Sequence, residues 1–386
     1  MITKNFDIII VGSGCVGGVF ALQLAQLRPD FNIALLDFKA YSQFDYSLID
    51  NRIFAISNNN YKNLVNLGIW PESRYGCIDN MNIHTDTDAN LSLIADAEIV
   101  NLAKTVENSV LLDLIYQKLN QLNNVSILTD EILTIEYLHD KILINAKKSQ
   151  YRSYLLVGAD GATSFVRKQF QLRTSSYDYH RFGIVANFKC EKNHNNIAHQ
   201  WFKDDKILAY LPCLNSNIIS IVLSTNDVDN IINMSAVELE DYIANLADYT
   251  LGKIKLVSKV DSYPLKLNVV HSIFKKNLVL IGDAAHTIHP LAGLGINIGF
   301  CDAFKLAEDL AKILDKNQLG NTSLLHKYSL SRISSVIRMQ MLCHGLFNFF
   351  AIKSSVFRAI SNLGVKVINN NSYLKKIIVS GINKLI

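Results

Sequence analysis

The sequence predicts an α/β protein built from a parallel-sheet domain, an inserted and mainly antiparallel β-sheet domain, and a C-terminal helical region. Three observations predict it. An apolar run, Phe6 to Val11, ends in the glycine-rich Gly12-Ser-Gly14-Cys-Val-Gly17. A second apolar run, Asn277 to Ile281, ends in Gly282-Asp283. Between them, from about 177 to 226, apolar and polar residues alternate as in strands buried on one face.

The elements follow in order. Phe6 to Val11 reads as a buried parallel strand, residues 15–27 as a helix, and Ile33 to Leu36 as a second strand ending at Asp37. That is a βαβ opening. Residues 109–122 place Val110, Leu111, Leu114, Ile115 and Leu119 on one helical side. Val125 to Leu128 reads as a strand, 131–147 as a hairpin, and Leu155 to Val157 as another buried strand. Phe182 to Phe188, Ile207 to Leu211 and Ile218 to Leu223 read as strands of the inserted sheet. Helical spacing resumes near Ile296 and continues through most of the remainder. The asparagine patches Asn58 to Asn60, Asn193 to Asn196 and Asn369 to Asn371 read as loops.

The 386 residues suffice for two domains of ordinary size, and 49% hydrophobic against 19% charged residues is a globular balance. No apolar run reaches the roughly 18–20 residues of a membrane-spanning helix. Phe6 to Val11 is too short for a signal-peptide core. Six scattered cysteines without a C-x-x-C pair point to reduced, cytoplasmic usage rather than metal binding or disulfides. The net charge of +4 is uneven: no Asp or Glu follows Asp315, while ten Lys and Arg do, which leaves the first 315 residues at −6. A basic tail on an acidic body suggests an anionic partner.

Gly12, Gly14 and Gly17 form a dinucleotide fingerprint between strand and helix. The first permits the turn, the second lets backbone approach a pyrophosphate, and the third lets helix and strand pack closely. Asp37, 25 residues past Gly12, ends the second strand, where a carboxylate can accept ribose hydroxyls. An acid there favours an unphosphorylated adenosine, as in FAD or NAD. The later segment decides for FAD. Asp283 sits where a carboxylate can bind a polyol. The turn Pro290-Leu-Ala-Gly293-Leu-Gly295-Ile-Asn297 then opens a helix whose N–H groups suit the negative edge of a reduced flavin. Asp160-Gly161, after the Leu155 to Val157 strand, reads equally as a helix cap or as a cofactor contact. His286 and His289 lack further ligands for a metal and read as turn or capping residues.

Together these three segments resemble the group A flavoprotein monooxygenases, the p-hydroxybenzoate hydroxylase class, from about residue 5 to 345. Within it, Arg52 ahead of Asn66-Leu-Gly-Ile-Trp70, Val106-Glu-Asn108, Tyr263-Pro-Leu265 and Asp283 to Gly293 resemble the ubiquinone-biosynthesis hydroxylases, the UbiH/UbiF/VisC/Coq6 group. Leu251-Gly-Lys-Ile254 leans toward the UbiH branch. Leu294 departs from that group's Gln, and Asp37 stands for its commoner Glu. The resemblance implies a Rossmann-like FAD-binding domain over 1–75, 106–175 and 271–330. It implies substrate-domain segments over 76–105 and 176–270, and a basic helical region over 331–386. It implies that Arg52 contacts the flavin side, that Asp283 binds the ribitol, and that Pro290, Gly293, Gly295 and Asn297 line the isoalloxazine.

The implied activity is hydroxylation of the ring of a polyprenylated phenol, with NAD(P)H reducing the FAD and O2 delivering oxygen through a flavin hydroperoxide. No protein nucleophile is expected. Tyr210, on a strand expected to roof the pocket, and Pro290 are the side chains offered near the reacting centre, Tyr210 reading also as a core aromatic. A membrane-borne substrate gives the basic segment 346–386 a reason: contact with the inner face of the cytoplasmic membrane or with a biosynthetic complex. The competing readings are a different aromatic hydroxylase, a prenyl reductase, and a non-catalytic flavin-bound assembly factor. Trp70 and Trp201 cannot form a halogenase W-x-W motif, and no nucleic-acid module is present.

Overall fold

The computed structural model describes residues 2–85, 91–94, 101–203, 205–287 and 295–351. The chain begins with β1 (Thr3–Val11), α1 (Cys15–Leu27), β2 (Ile33–Asp37), β3 (Ile53–Ser57), α2 (Asn58–Asn66), β4 (Tyr75–Ile78), β5 (Asn80–Thr85), β6 (Leu91–Ile94), β7 (Ala103–Glu107) and α3 (Asn108–Leu119). It continues with β8 (Val125–Thr129), β9 (Ile132–Leu138), β10 (Lys141–Ala146), β11 (Gln150–Gly158), α4 (Phe165–Gln169), β12 (Thr174–Cys190), β13 (Ile197–Lys203), β14 (Lys206–Cys213) and β15 (Ile218–Thr225). It closes with α5 (Val228–Ile232), α6 (Ala236–Leu246), β16 (Ile254–Leu256), β17 (Asp261–Val270), β18 (Phe274–Lys275), β19 (Leu278–Leu280), β20 (His286–Thr287), α7 (Gly295–Ala311) and α8 (Thr322–Ala351).

The first sheet has β1 at its centre, in the order β18-β19-β11-β1-β2-β8, with the β9–β10 hairpin attached to β11. The β19, β11, β1, β2 and β8 strands are parallel. Phe6 to Val11 is buried throughout because a central parallel strand is covered on both faces. Helices α1, α3 and α7 contribute to the same hydrophobic core as this sheet.

The second sheet runs β20-β17-β12-β15-β14-β13-β5-β6, and β16 joins β12. Its strands alternate. Ile184, Ala186, Phe188, Trp201, Leu208, Tyr210, Ile219, Ile221 and Leu223 form one core with α5 and α6. Residues of the opposite face, Ala198 and Leu211, pack on Ala55, Ile78 and Ala103 of the small sheet β3-β7-β4. That small sheet therefore joins the two large ones.

Two sequence expectations are corrected. Asn58 to Asn60 open helix α2 rather than a loop, because Ser57 supplies an N-cap oxygen to the Asn60 N–H and Asn60 is buried. Tyr210 does not roof a pocket. Strand alternation turns it to the face covered by α6, where its hydroxyl donates to the Ile243 carbonyl at 3.1 Å.

Candidate functional site

The glycine turn follows β1. Gly12 has φ +105°, and a Cβ there would stand 2.4 Å from the Ala159 carbonyl oxygen. A Cβ on Gly17 would meet the Gly12 carbonyl oxygen at 2.1 Å, so helix and turn touch backbone to backbone. Gly14, the N-cap of α1, has open space where its side chain would be. The N–H groups and positive dipole end of a 13-residue helix face that space. Asp37 stands at the end of β2. Its Oδ2 accepts both the Ser13 N–H and the Ser13 hydroxyl at 2.8 Å, and its Oδ1 accepts the Lys39 N–H at 3.2 Å. Asp37 thus holds the middle of the glycine loop in place.

Asp283 follows β19 in a short 3-10 turn, Gly282 to Ala284. Among the described residues nothing donates a hydrogen bond to its carboxylate. Burial raises its pKa above the ordinary carboxylate value, with the Arg52 charge pulling the other way. The exposed Arg52, on the segment before β3, is therefore within electrostatic reach of Asp283; its field also reaches Cys15 and Tyr263. Burial pushes the Cys15 thiol up to about 12, so it stays protonated and unreactive. Gly295, at the start of α7, again has open space where a side chain would stand.

Asp302 lies beneath this turn, fully buried on α7. Its Oδ2 accepts the Gly282 N–H at 3.0 Å and lies 2.7 Å from His286 Nε2, and its Oδ1 accepts from Arg332 Nε at 2.6 Å. Burial alone would raise its pKa; the His286 and Arg332 charges outweigh that and hold it below the usual carboxylate range. Sequence reasoning missed both Asp302 and Arg332. The available signal was a lone acid in the otherwise apolar run Ile298 to Phe304. His286, read as a capping residue, belongs to this ion cluster.

Several expected contacts resolve differently. Asp160 gives one oxygen to the Ser164 hydroxyl at 2.6 Å and the other to the Val166 N–H at 3.0 Å, so it caps the start of α4. Arg167 on that helix donates to the Ala284 carbonyl at 2.8 Å, which ties the middle motif to the Asp283 turn. The Asn297 side chain is fully buried and donates to the Ala55 carbonyl at 2.8 Å while accepting the Ser57 N–H at 2.9 Å. It locks β3 and α2 to α7. Pro290, Gly293, Leu294 and His289 lie outside the described residues. Tyr210 is also unsuited as a base by its chemistry, since burial raises its pKa well beyond the ordinary phenol value.

A second missed network shapes the segment before β3. Glu107, buried at the end of β7, accepts from Arg74 Nε and Nη2 at 2.8 Å and from the Asp50 N–H at 2.9 Å. Asp50 in turn accepts the Ser109 N–H at 2.8 Å and the Arg52 N–H at 2.9 Å. Arg52 is thereby presented from a fixed backbone.

A glycine turn open at a helix N-terminus, a half-buried carboxylate after a second strand that has no hydrogen-bond partner among the described residues, and a second open helix start define a dinucleotide-flavin protein. The chemistry of these residues fits FAD. The FAD binding domain family model matches residues 143–341, and the chain belongs to that family. It is an FAD-dependent monooxygenase. The chain is 28% identical to the 3-demethoxyubiquinol 3-hydroxylase of Escherichia coli K12, over 97% of this chain and 98% of that protein. It is 27% identical to the mitochondrial ubiquinone biosynthesis monooxygenase COQ6 of Drosophila melanogaster, over 98% and 90%. The ubiquinone hydroxylase UbiM of Neisseria meningitidis is 28% identical over 96% and 83%. Among solved structures, p-nitrophenol 4-monooxygenase PnpA of Pseudomonas putida DLL-E4 shares the fold, with TM-score 0.81, 17% identity and coverage of 100% and 99%.

Proposed function

We propose that this chain hydroxylates the aromatic ring of a polyprenylated phenol in ubiquinone biosynthesis, using FAD, NAD(P)H and O2. The carrying observation is that near-full-length relatives named for ubiquinone biosynthesis coincide with a site in which the half-buried Asp283, without a hydrogen-bond partner among the described residues, follows the second glycine strand. When bound, FAD reduced by NAD(P)H supplies the activation of O2 that puts one oxygen atom on the ring.

The chain's own residues bind, orient and exclude water. The α1 N-terminus at Gly14 takes the pyrophosphate, and Asp37, while holding Ser13, takes a ribose hydroxyl on its remaining lone pairs. Asp283 accepts ribitol hydroxyls, which relieves the burial of its charge. The first N–H groups of α7, from Gly295 onward, favour negative charge at the flavin's pyrimidine edge, and Arg52 adds a positive charge nearby. No side chain of the described site acts as a nucleophile.

The acid-free stretch after Asp315 supports a further part of this reading: residues 346–386 contact anionic lipid or a biosynthetic partner. No helix among the described residues is long and apolar enough to cross a membrane. The deciding experiment is quinone-precursor profiling by mass spectrometry in cells lacking this protein, with complementation. Accumulation of a polyprenylated phenol one hydroxyl short supports the reading; an unchanged quinone profile sinks it.

A further inference from the structure

We infer that Gln200 is a specificity-determining residue that hydrogen-bonds an oxygen substituent on the ring of the aromatic substrate. This rests on the substrate class proposed above. Gln200 lies mid-strand in β13 and is only 5% exposed. Its neighbours His199 and Trp201 point to the other face, where they stack on His84 beside Tyr210. Alternation therefore sends the Gln200 side chain to the opposite face, the one on which Ala198 and Leu211 meet the small sheet.

The register shows what shares that face. Gln200 pairs with Ala209, Ala209 with Val222, Val222 with Val185, and Val185 with Asp261. The row is anchored at its far end to the cofactor side. Asn51 Nδ2 donates to Asp261 Oδ2 at 2.5 Å, and Asn187, two residues along from Val185, donates to the Asp50 carbonyl at 2.9 Å. Both contacts hold the segment that carries Arg52. Gln200 to Val185 spans three strand steps, about 14 Å at the usual strand spacing. Val222 and Val185 remain partly accessible although strands flank them on both sides. Accessible space therefore runs along this row, lined by small or branched apolar side chains, and Gln200, paired with Ile83 of β5, lies at the end away from Arg52.

Among the described residues no group hydrogen-bonds the Gln200 carboxamide. Neither amide atom is sealed off, although the residue as a whole is only 5% exposed, so the carboxamide opens onto the small accessible space of this face and can meet a ligand there. Asn187, on the same face, is fully buried: its amide nitrogen donates to the Asp50 carbonyl, and its Oδ1, without a partner among the described residues, is sealed from any ligand. A largely apolar platform with an accessible carboxamide at its edge suits an aromatic ring bearing a hydroxyl or ether oxygen. Ala209, next to Gln200, leaves room for the ring to reach it.

The test titrates purified holoenzyme with an ortho-prenylated phenol of short chain and with its deoxy analogue, reading the perturbation of flavin absorbance. Wild type should bind the phenol about ten-fold or more tightly than the analogue. Gln200→Leu should lose that preference by weakening the phenol alone, with FAD content and analogue affinity unchanged. Should Gln200→Leu not fold, Gln200→Met, near in shape and without a hydrogen-bonding amide, takes its place. A variant that folds and keeps the preference overturns the role of Gln200 while leaving the substrate class standing. Wild type that neither binds the phenol nor oxidises NAD(P)H in response to it overturns the substrate class and this inference together.

Discussion

Asp302 accepts the Gly282 N–H at 3.0 Å, so a carboxylate buried in α7 fixes the turn from which Asp283 projects. The same carboxylate balances His286 and Arg332, the latter on α8. Removing it would leave a buried guanidinium without its counter-charge. Asp302→Asn is expected to destabilise the protein by about 3–5 kcal/mol. Denaturant unfolding of the apoprotein measures this. FAD affinity should fall as well, because the turn loses its anchor. An unfolding midpoint unchanged from wild type would show that the cluster carries no stability.

The same cluster fixes a pH dependence. The folded-state pKa of Asp302 lies below its ordinary value, because the neighbouring cations outweigh burial. Its stabilising contribution is therefore present above the unfolded pKa and is lost as pH falls through the folded one. His199 acts in the same acid range for a different reason. Burial first, and the nearby His84 second, lower it to about 4. A depressed histidine leaves stability intact above about pH 6.5 and removes it between there and pH 4, by roughly 3 kcal/mol. His199→Phe should flatten the stability profile over that window, measured by unfolding at each half pH unit, while Asp302 variants change it only below about pH 4.

Asp283 should show opposite effects on apoprotein and holoprotein. Its pKa is raised, so its charge opposes folding once pH exceeds the folded-state value. Asp283→Asn removes that charge and should raise the melting temperature of the apoprotein at neutral pH. It should also weaken FAD binding by about 1.5–3 kcal/mol, the usual worth of a hydrogen bond to a charged group. Thermal melts with and without FAD, together with flavin fluorescence titration, separate the two. A variant with lower apoprotein stability would contradict the account of Asp283.

How far the sequence reveals this molecule depends on whether the physics is local. β1 and its glycine turn are legible because a continuous apolar run ending in Gly12 has few other solutions. Asp283 is legible by its place after a second such run. The direction of Tyr210 is not: the alternation is legible, but which face meets α6 and which the small sheet depends on residues far along the chain. Asn58 to Asn60 misled because their composition resembles a loop, while Ser57 and Asn297 give them a cap and a buried partner. Asp302 and Arg332 stayed hidden, and Glu107 stood out only as part of the Val106-Glu-Asn108 motif, because each acts only through partners on other elements.

The Tyr210 assignment is itself testable. Its hydroxyl bonds Ile243 within the helix-covered core and faces away from the side that carries Gln200. Tyr210→Phe should lower stability by about 1 kcal/mol and leave the pH dependence of hydroxylation unchanged. A shifted pH–rate profile in that variant would return Tyr210 to the reacting site.

The glycine turn offers the sharpest contrast between folding and binding. A methyl group at Gly14 meets nothing of the protein within 4 Å, whereas one at Gly17 lies 2.1 Å from the Gly12 carbonyl oxygen. Gly17→Ala must therefore push α1 away from the turn, with a stability loss on the order of 1–3 kcal/mol. Gly14→Ala should fold with wild-type stability and even gain slightly from reduced unfolded-chain entropy. Its methyl group would occupy the space in front of the α1 N-terminus. FAD content after purification should fall sharply for Gly14→Ala, while its apoprotein unfolds at a denaturant concentration no lower than that of wild type. A Gly14→Ala protein that retains full FAD would place the pyrophosphate elsewhere.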